Sequence, residues 1–184
     1  MADSERVAPG EVRRALVACL PRIHRYARRL SGSTWEADDL VQAACERALA
    51  RIDGFRADGS LEGWMYRTVQ NLWLDGRRAA VVRGGDAEPV DPDTLDGVGD
   101  GIEARLMLER VRADLDRLPD DQRVVLLLVC VEGLSYSEAA ATLDVPIGTI
   151  MSRLSRARRA LHARLEGPAD RGQTPARPRA PARG

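Results

Sequence analysis

Apolar residues recur at helical spacing along most of this chain. Val12, Leu16, Cys19, Leu20, Ile23, Tyr26, Ala27 and Leu30 form one stripe, with Pro21 placed to kink it. Ser33 and Glu36 have the three-residue spacing of a capping box and predict a second helix through Leu40, Val41, Ala44, Ala48 and Ile52. A polar loop, FRADGS at 55–60, follows. Ser60 then caps a third helix, 61 to about 80, carrying Trp64, Val69, Leu72 and Trp73. Ile102, Leu106, Leu108, Val111, Leu115 and Leu118 predict a fourth helix. Pro119 starts a fifth, which Gly133 ends. The apolar run 124–131 fits a buried strand on periodicity alone, but no partner strand lies nearby, and Gln122, Arg123 and the Pro/Gly punctuation favour a helix.

The stretch 134–165 carries the most information. Ser135 and Glu138 make a second capping box ahead of Ala139, Ala140 and Leu143. Asp144-Val145-Pro146 breaks that helix: a residue before proline is pushed towards extended geometry, and the proline can open the next helix without losing a needed N–H. In that next helix Ile150, Leu154, Ala157 and Leu161 line one buried stripe. A turn of about 100° per residue puts Ser152, Ser155, Arg156 and Arg159 opposite, flanked by Arg153 and Arg158. This is the pattern of a helix-turn-helix, which sets its second helix in the major groove of DNA. A solvated amphipathic helix would also carry charge. It would not require the capping box, the proline-set turn or the contrast between residues 145–166, with five Arg against one acid, and 102–144, with five Arg against nine acids.

Composition adjusts this picture only in places. The 184 residues suffice for one domain or two small ones, and 44% hydrophobic with 30% charged residues fits a soluble globular protein. Net charge is zero, so the total lends nucleic-acid binding no support, but the charge is segregated. Residues 1–80 carry +2, 81–101 carry −5, 102–166 are neutral and 167–184 carry +3. The 81–101 segment, rich in Gly, Pro and Asp, reads as a flexible acidic linker, and 167–184 as a disordered low-complexity tail. No apolar run reaches the ~20 residues of a membrane span, and the N-terminus lacks a signal-peptide core, so a cytoplasmic protein is expected. Cys19, Cys45 and Cys130 form no C-x-x-C pair and read as buried free thiols. With His24 and His162 far apart, no metal site, cofactor or catalytic residue is expected. The fold expected is all-α: two small helical domains, 1–80 and 102–166, joined by the 81–101 linker, the second ending in the helix-turn-helix.

Ala37-Asp38-Asp39-Leu40-Val41-Gln42, the stretch FRADGSLEGWMYRTVQNLWLDGRR at 55–78, Leu118-Pro119-Asp120-Asp121-Gln122-Arg123, and the run from Gly148 to Arg158 stand in the order of four motifs of one family. The chain resembles the extracytoplasmic-function group of the sigma-70 family of bacterial RNA polymerase sigma factors, over about 12–166. The resemblance implies that 1–80 is region 2, binding core polymerase and the minus-ten element, and 102–166 is region 4, binding the minus-thirty-five element. It implies that Asp38, Asp39 and Gln42 dock on the polymerase β′ clamp, and that region 4 meets the β flap. First-turn acids such as Asp38 and Asp39 are also favoured by the helix dipole. The loop with Phe55, Arg56, Asp58 and Ser60 would take a nucleotide flipped from the non-template strand, with Asn71 near that strand and Arg77 and Arg78 near phosphates. Stacking surfaces and cationic grooves suit single strands. In region 4, Ser152 and Arg156 match DNA-contacting positions, with Thr149, Arg153, Ser155 and Arg159 around them. Met151 departs from the family, many of whose members carry Lys or Arg there.

Two promoter elements about two duplex turns apart are separated by roughly 70 Å. Twenty-one linker residues reach at most about 75 Å extended and about 25 Å as a relaxed coil. On DNA the linker is therefore fairly extended, or the modules cover part of the distance. The function expected is a non-enzymatic sigma factor that directs polymerase to promoters and aids melting, with an anti-sigma partner implied by the family. The alternative is a stand-alone helix-turn-helix regulator with an N-terminal sensing or dimerisation module, which would have no use for the FRADGS loop followed by Asn71 and the Arg pair.

Overall fold

In the computed structural model, residues 8–52, 60–82 and 102–165 are described, and every regular element among them is helical. Helix α1 spans Pro9–Ser31, α2 Thr34–Ala50 and α3 Leu61–Val82. The second half has α4 at Ile102–Asp116, α5 at Asp120–Leu126, α6 at Tyr136–Leu143 and α7 at Ile147–Leu165. A π-helical turn, Leu127–Val131, continues α5. The apolar run 124–131 is thus helix and not strand, buried through Leu128 and exposed at Cys130 and Val131. The expected linker, from 83 on, and the tail lie outside the described residues. Helix α3 runs two residues past its expected end, with Val81 and Val82 exposed.

Local chemistry sets the helix ends. The Ser33 hydroxyl accepts the Glu36 N–H at 3.3 Å, but the N–H of Ser33 goes to Ser31 Oγ at 3.2 Å, so this cap differs from the reciprocal box expected. Ser60 Oγ accepts the Gly63 N–H at 3.0 Å. At α6 the box is complete: Ser135 Oγ accepts from Glu138 N–H at 3.2 Å, and Glu138 accepts from Ser135 N–H at 2.8 Å. Asp144 turns the chain in the left-handed region, φ 55°, ahead of Val145-Pro146. Gly133, φ 78°, reverses the chain after the π turn, a conformation glycine adopts without a Cβ penalty.

Helices α1–α3 bury Leu16, Ile23, Tyr26, Leu30, Met65, Tyr66, Val69 and Trp73 between them. This core does not stop at the first module. Val124, Leu127 and Leu128 from the second module belong to the same apolar cluster. A smaller cluster under the helix-turn-helix contains Leu118, Val125, Leu126, Ala139, Ile150, Leu154 and Ala157, and Leu134 and Leu143 pack against both. The two helical modules expected are both present, and they pack against each other along the larger core. The physical reason lies in the run 124–131, across the end of α5 and its π turn: it is continuously apolar, so one face fills its own module and the other needs cover from α1 and α3. The thiols also part from expectation. Cys19 is buried, Cys45 half-buried and Cys130 exposed, because Cys130 lies on the outer side of the π turn.

Candidate nucleic-acid interface

The α7 stripe of Ile150, Leu154 and Ala157 is buried, with Leu161 half-buried behind it, as the periodicity predicts. The opposite face carries Ser155, Arg156 and Arg159, all exposed. Thr149 and Ser152 are half-buried at the helix start, and the Ser152 hydroxyl donates to the Thr149 carbonyl at 3.0 Å. Arg153 pairs with Asp121 of α5 at 2.9 Å. Arg164 donates to the carbonyls of Asp114 and Arg117 at 2.8 and 3.3 Å, tying the far end of α7 to the end of α4. These bonds fix the axis of α7 and leave the Ser155–Arg156–Arg159 face turned outward. Met151 is 53% exposed on the same helix, with exposed Ile147 one turn before it. The arrangement can deliver guanidinium and hydroxyl groups to base edges and phosphates.

The second set of candidates lies on α3. Asn71, Arg77 and Arg78 are exposed on it, and Ser60 caps it. Arg78 pairs with Asp75 at 2.9 Å. Arg77 lies over the Trp73 ring, 5.2 Å from its centroid, and its Nε meets Asp120 of α5 at 3.1 Å. Trp73 is buried at 1% exposure, so it is a core residue and not a stacking platform, whereas Trp64 is half-buried beside the cap. Phe55, Arg56 and Asp58 lie outside the described residues. On α2, Asp38, Asp39 and Gln42 are all exposed. Asp38 Oδ1 lies within hydrogen-bond distance of His24 Nε2, at 2.7 Å, and Gln42 donates to Glu46 at 3.2 Å. Trp35, 81% exposed, stands at the start of the same helix.

Sequence reasoning missed the charged residues between the modules. The Glu132 side chain is only 4% exposed. It accepts from Arg29 at 3.0 Å and from the Tyr66 hydroxyl at 3.1 Å, and its carbonyl accepts from Arg22 at 3.1 Å. Burial, then the Glu132 charge, pushes the Tyr66 phenol well above its ordinary pKa, so it stays a donor. Arg123, 3% exposed, bonds Asp116 at 2.6 Å and the Arg29 carbonyl at 3.1 Å. Its guanidinium lies 5.5 Å from the Trp73 centroid. Burial pulls its pKa down and Asp116 opposes that shift. No spacing rule points to Glu132. Its only sequence signal is an acid placed at the end of a long apolar run.

The fold and these two surfaces define a two-module helical protein with a helix-turn-helix, and comparison with known proteins narrows this. Residues 16–81 match the family model for Sigma-70 region 2, and residues 108–161 that for Sigma-70, region 4. The chain is 41% identical over 150 residues to the ECF RNA polymerase sigma factor EcfG of Rhodopseudomonas palustris (strain TIE-1), covering 82% of each chain. It is similar in structure to the sigma factor RpoE of Bartonella quintana, solved with the anti-sigma factor NepR. The TM-score is 0.68 at 29% identity, over 86% of this chain and 98% of that one. CnrH, solved with the cytosolic domain of CnrY, gives a TM-score of 0.64 at 26% identity, over 91% of this chain and all of the other. The chain belongs to the extracytoplasmic-function group of the sigma-70 family of RNA polymerase sigma factors.

Proposed function

We propose that this chain binds core RNA polymerase through α2, around Asp38, Asp39 and Gln42, and places the helix-turn-helix on the minus-thirty-five element. In this reading Arg156 and Ser152 meet bases, with Thr149, Arg153, Ser155 and Arg159 in support. The start of α3 with Ser60, the preceding loop with Phe55, Arg56 and Asp58, and then Asn71, Arg77 and Arg78 hold the melted minus-ten strand. The domain limits proposed are 1–80, 81–101, 102–166 and 167–184. The chain performs no covalent chemistry of its own and works in the cytoplasm. No described helix is long and apolar enough to cross a membrane. By analogy with the NepR and CnrY complexes of its relatives, an anti-sigma factor is a further partner.

The observation that carries the reading is the joint presence, in order, of an acidic exposed α2 face, an Arg-bearing α3 and an outward Arg face on α7, within the family match over both regions. A mobility-shift assay on a promoter library, with this chain, core polymerase or both, tests it. A sequence-specific complex is expected only with both. Specific binding by the chain alone, with no gain from core, would favour the stand-alone regulator.

A further inference from the structure

The second helix of a helix-turn-helix reads base edges mainly with residues near its N-terminus. In α7 that part of the helix exposes apolar side chains. Across residues 147–154 the exposed positions are Ile147, Gly148 and Met151. The polar side chains there are engaged or turned aside. Thr149 and Ser152 are half-buried, and the Ser152 hydroxyl donates to the Thr149 carbonyl at 3.0 Å. Arg153 is held by Asp121 at 2.9 Å. Exposed hydroxyl and guanidinium groups begin at Ser155 and Arg156. Ile147 and Met151 are four residues apart, so they stand one above the other on one flank of α7. They are 49% and 53% exposed. A Cβ built on Gly148, next to Ile147 in the chain, would meet nothing within 4 Å, so the space there is open.

Single exposed apolar residues are ordinary on a protein surface. A pair one turn apart, at the end of the helix that reads bases, has a particular chemical use. The apolar group that a base pair shows in the major groove is the C5-methyl of thymine. We propose that Ile147 and Met151 together hold a thymine methyl of the minus-thirty-five element, so that methyl contact carries part of this chain's promoter preference. The proposal rests on the reading of α7 as the helix that enters the major groove. Promoter DNA is the occupant because the pair borders the Ser155–Arg156–Arg159 face, whose groups suit phosphates and base edges. The two side chains divide the task. Ile147 is β-branched and stiff, and Met151 is flexible and polarisable enough to close over a methyl group.

Uracil tests it, because uracil pairs as thymine does and lacks the C5-methyl. Holoenzyme is assembled from core polymerase and the full chain, and a promoter that it binds specifically is selected from a library. Each thymine of the minus-thirty-five element, on either strand, is then replaced singly by uracil. At least one replacement should weaken binding about fourfold, the worth of one buried methyl. In a chain carrying Ile147→Ala and Met151→Ala that penalty should be lost. Both residues are exposed and alanine favours helix, so the variant keeps its fold. A selected element without thymine, binding that no single uracil changes, or a penalty that survives both substitutions would overturn the methyl contact. A double variant that loses affinity for core polymerase in the absence of DNA would make the pair a polymerase contact, and the proposal falls. A native chain that forms no specific complex with core on any promoter sinks the reading of α7 itself, and the methyl contact with it.

Discussion

Arg156 has the most consequential side chain for sequence reading in this account. It is exposed on the outward face of α7, while Arg153 on the same helix is held by Asp121 and Arg164 by the end of α4. Neighbouring arginines on one helix therefore differ in role: some orient α7 and some face outward. Arg156→Ala should weaken binding of polymerase holoenzyme to its minus-thirty-five element by about 1–3 kcal/mol if the guanidinium pairs with guanine. The loss should be largest at one base position in a panel of substituted promoters. Equal loss on every sequence would mark a phosphate contact instead. Met151, exposed nearby, brings a thioether to the edge of this face. Apolar contact with a thymine methyl is the chemistry such a residue offers. At this scale the sequence was legible where periodicity decides. The buried stripe Ile150, Leu154, Ala157 and its polar back lie where a turn of about 100° per residue puts them. It was not legible for Cys130, read as buried and found exposed, because a π turn shifts the residues after Leu127 off α-helical register.

Among the elements, α6 gives the sharpest expectation. It is short at eight residues, so its start depends on the Ser135–Glu138 box more than a long helix would. The bonds from Ser135, side chain first and then backbone, hold the Glu138 carboxylate below its ordinary pKa of 4.5. A depressed carboxylate contributes stability that is complete above the unfolded value and is lost as pH falls through the folded value. The protection of the α6 amides, taken relative to the intrinsic exchange rate at each pH, should therefore fall as pH drops below about 4.5. Glu138→Gln should flatten that acid dependence while leaving exchange in α1 and α2 unchanged. An α6 whose exchange has the same acid limb in both proteins would contradict the box as the cause. Both capping signals were visible as spacing in the sequence, yet only one closed reciprocally, because Ser31 competes for the Ser33 N–H. Spacing shows which bonds a chain can make and leaves open which acceptor a given N–H takes.

On the scale of the whole molecule, the order of helices was legible and their assembly was not. The all-α class, the helix-turn-helix and the places of α1 to α3 follow from stripes and caps. That α5 and its π turn would complete the core of α1 and α3 could not be read, since an all-apolar segment does not declare which neighbours it buries against. Nor did any pattern single out Glu132, Arg22 or Arg29 as partners across some hundred residues of chain. The exposed α2 acids, the α3 arginines and the outward α7 face make one account with the family match. Its central claim is that this chain gives core polymerase a promoter preference it does not otherwise have. Run-off transcription from a library of promoters, with purified core enzyme and with or without the chain, tests that claim most directly. The account predicts discrete transcripts from a subset of promoters only when the chain is present. The same transcripts from core alone, or none from any promoter with both, would contradict it.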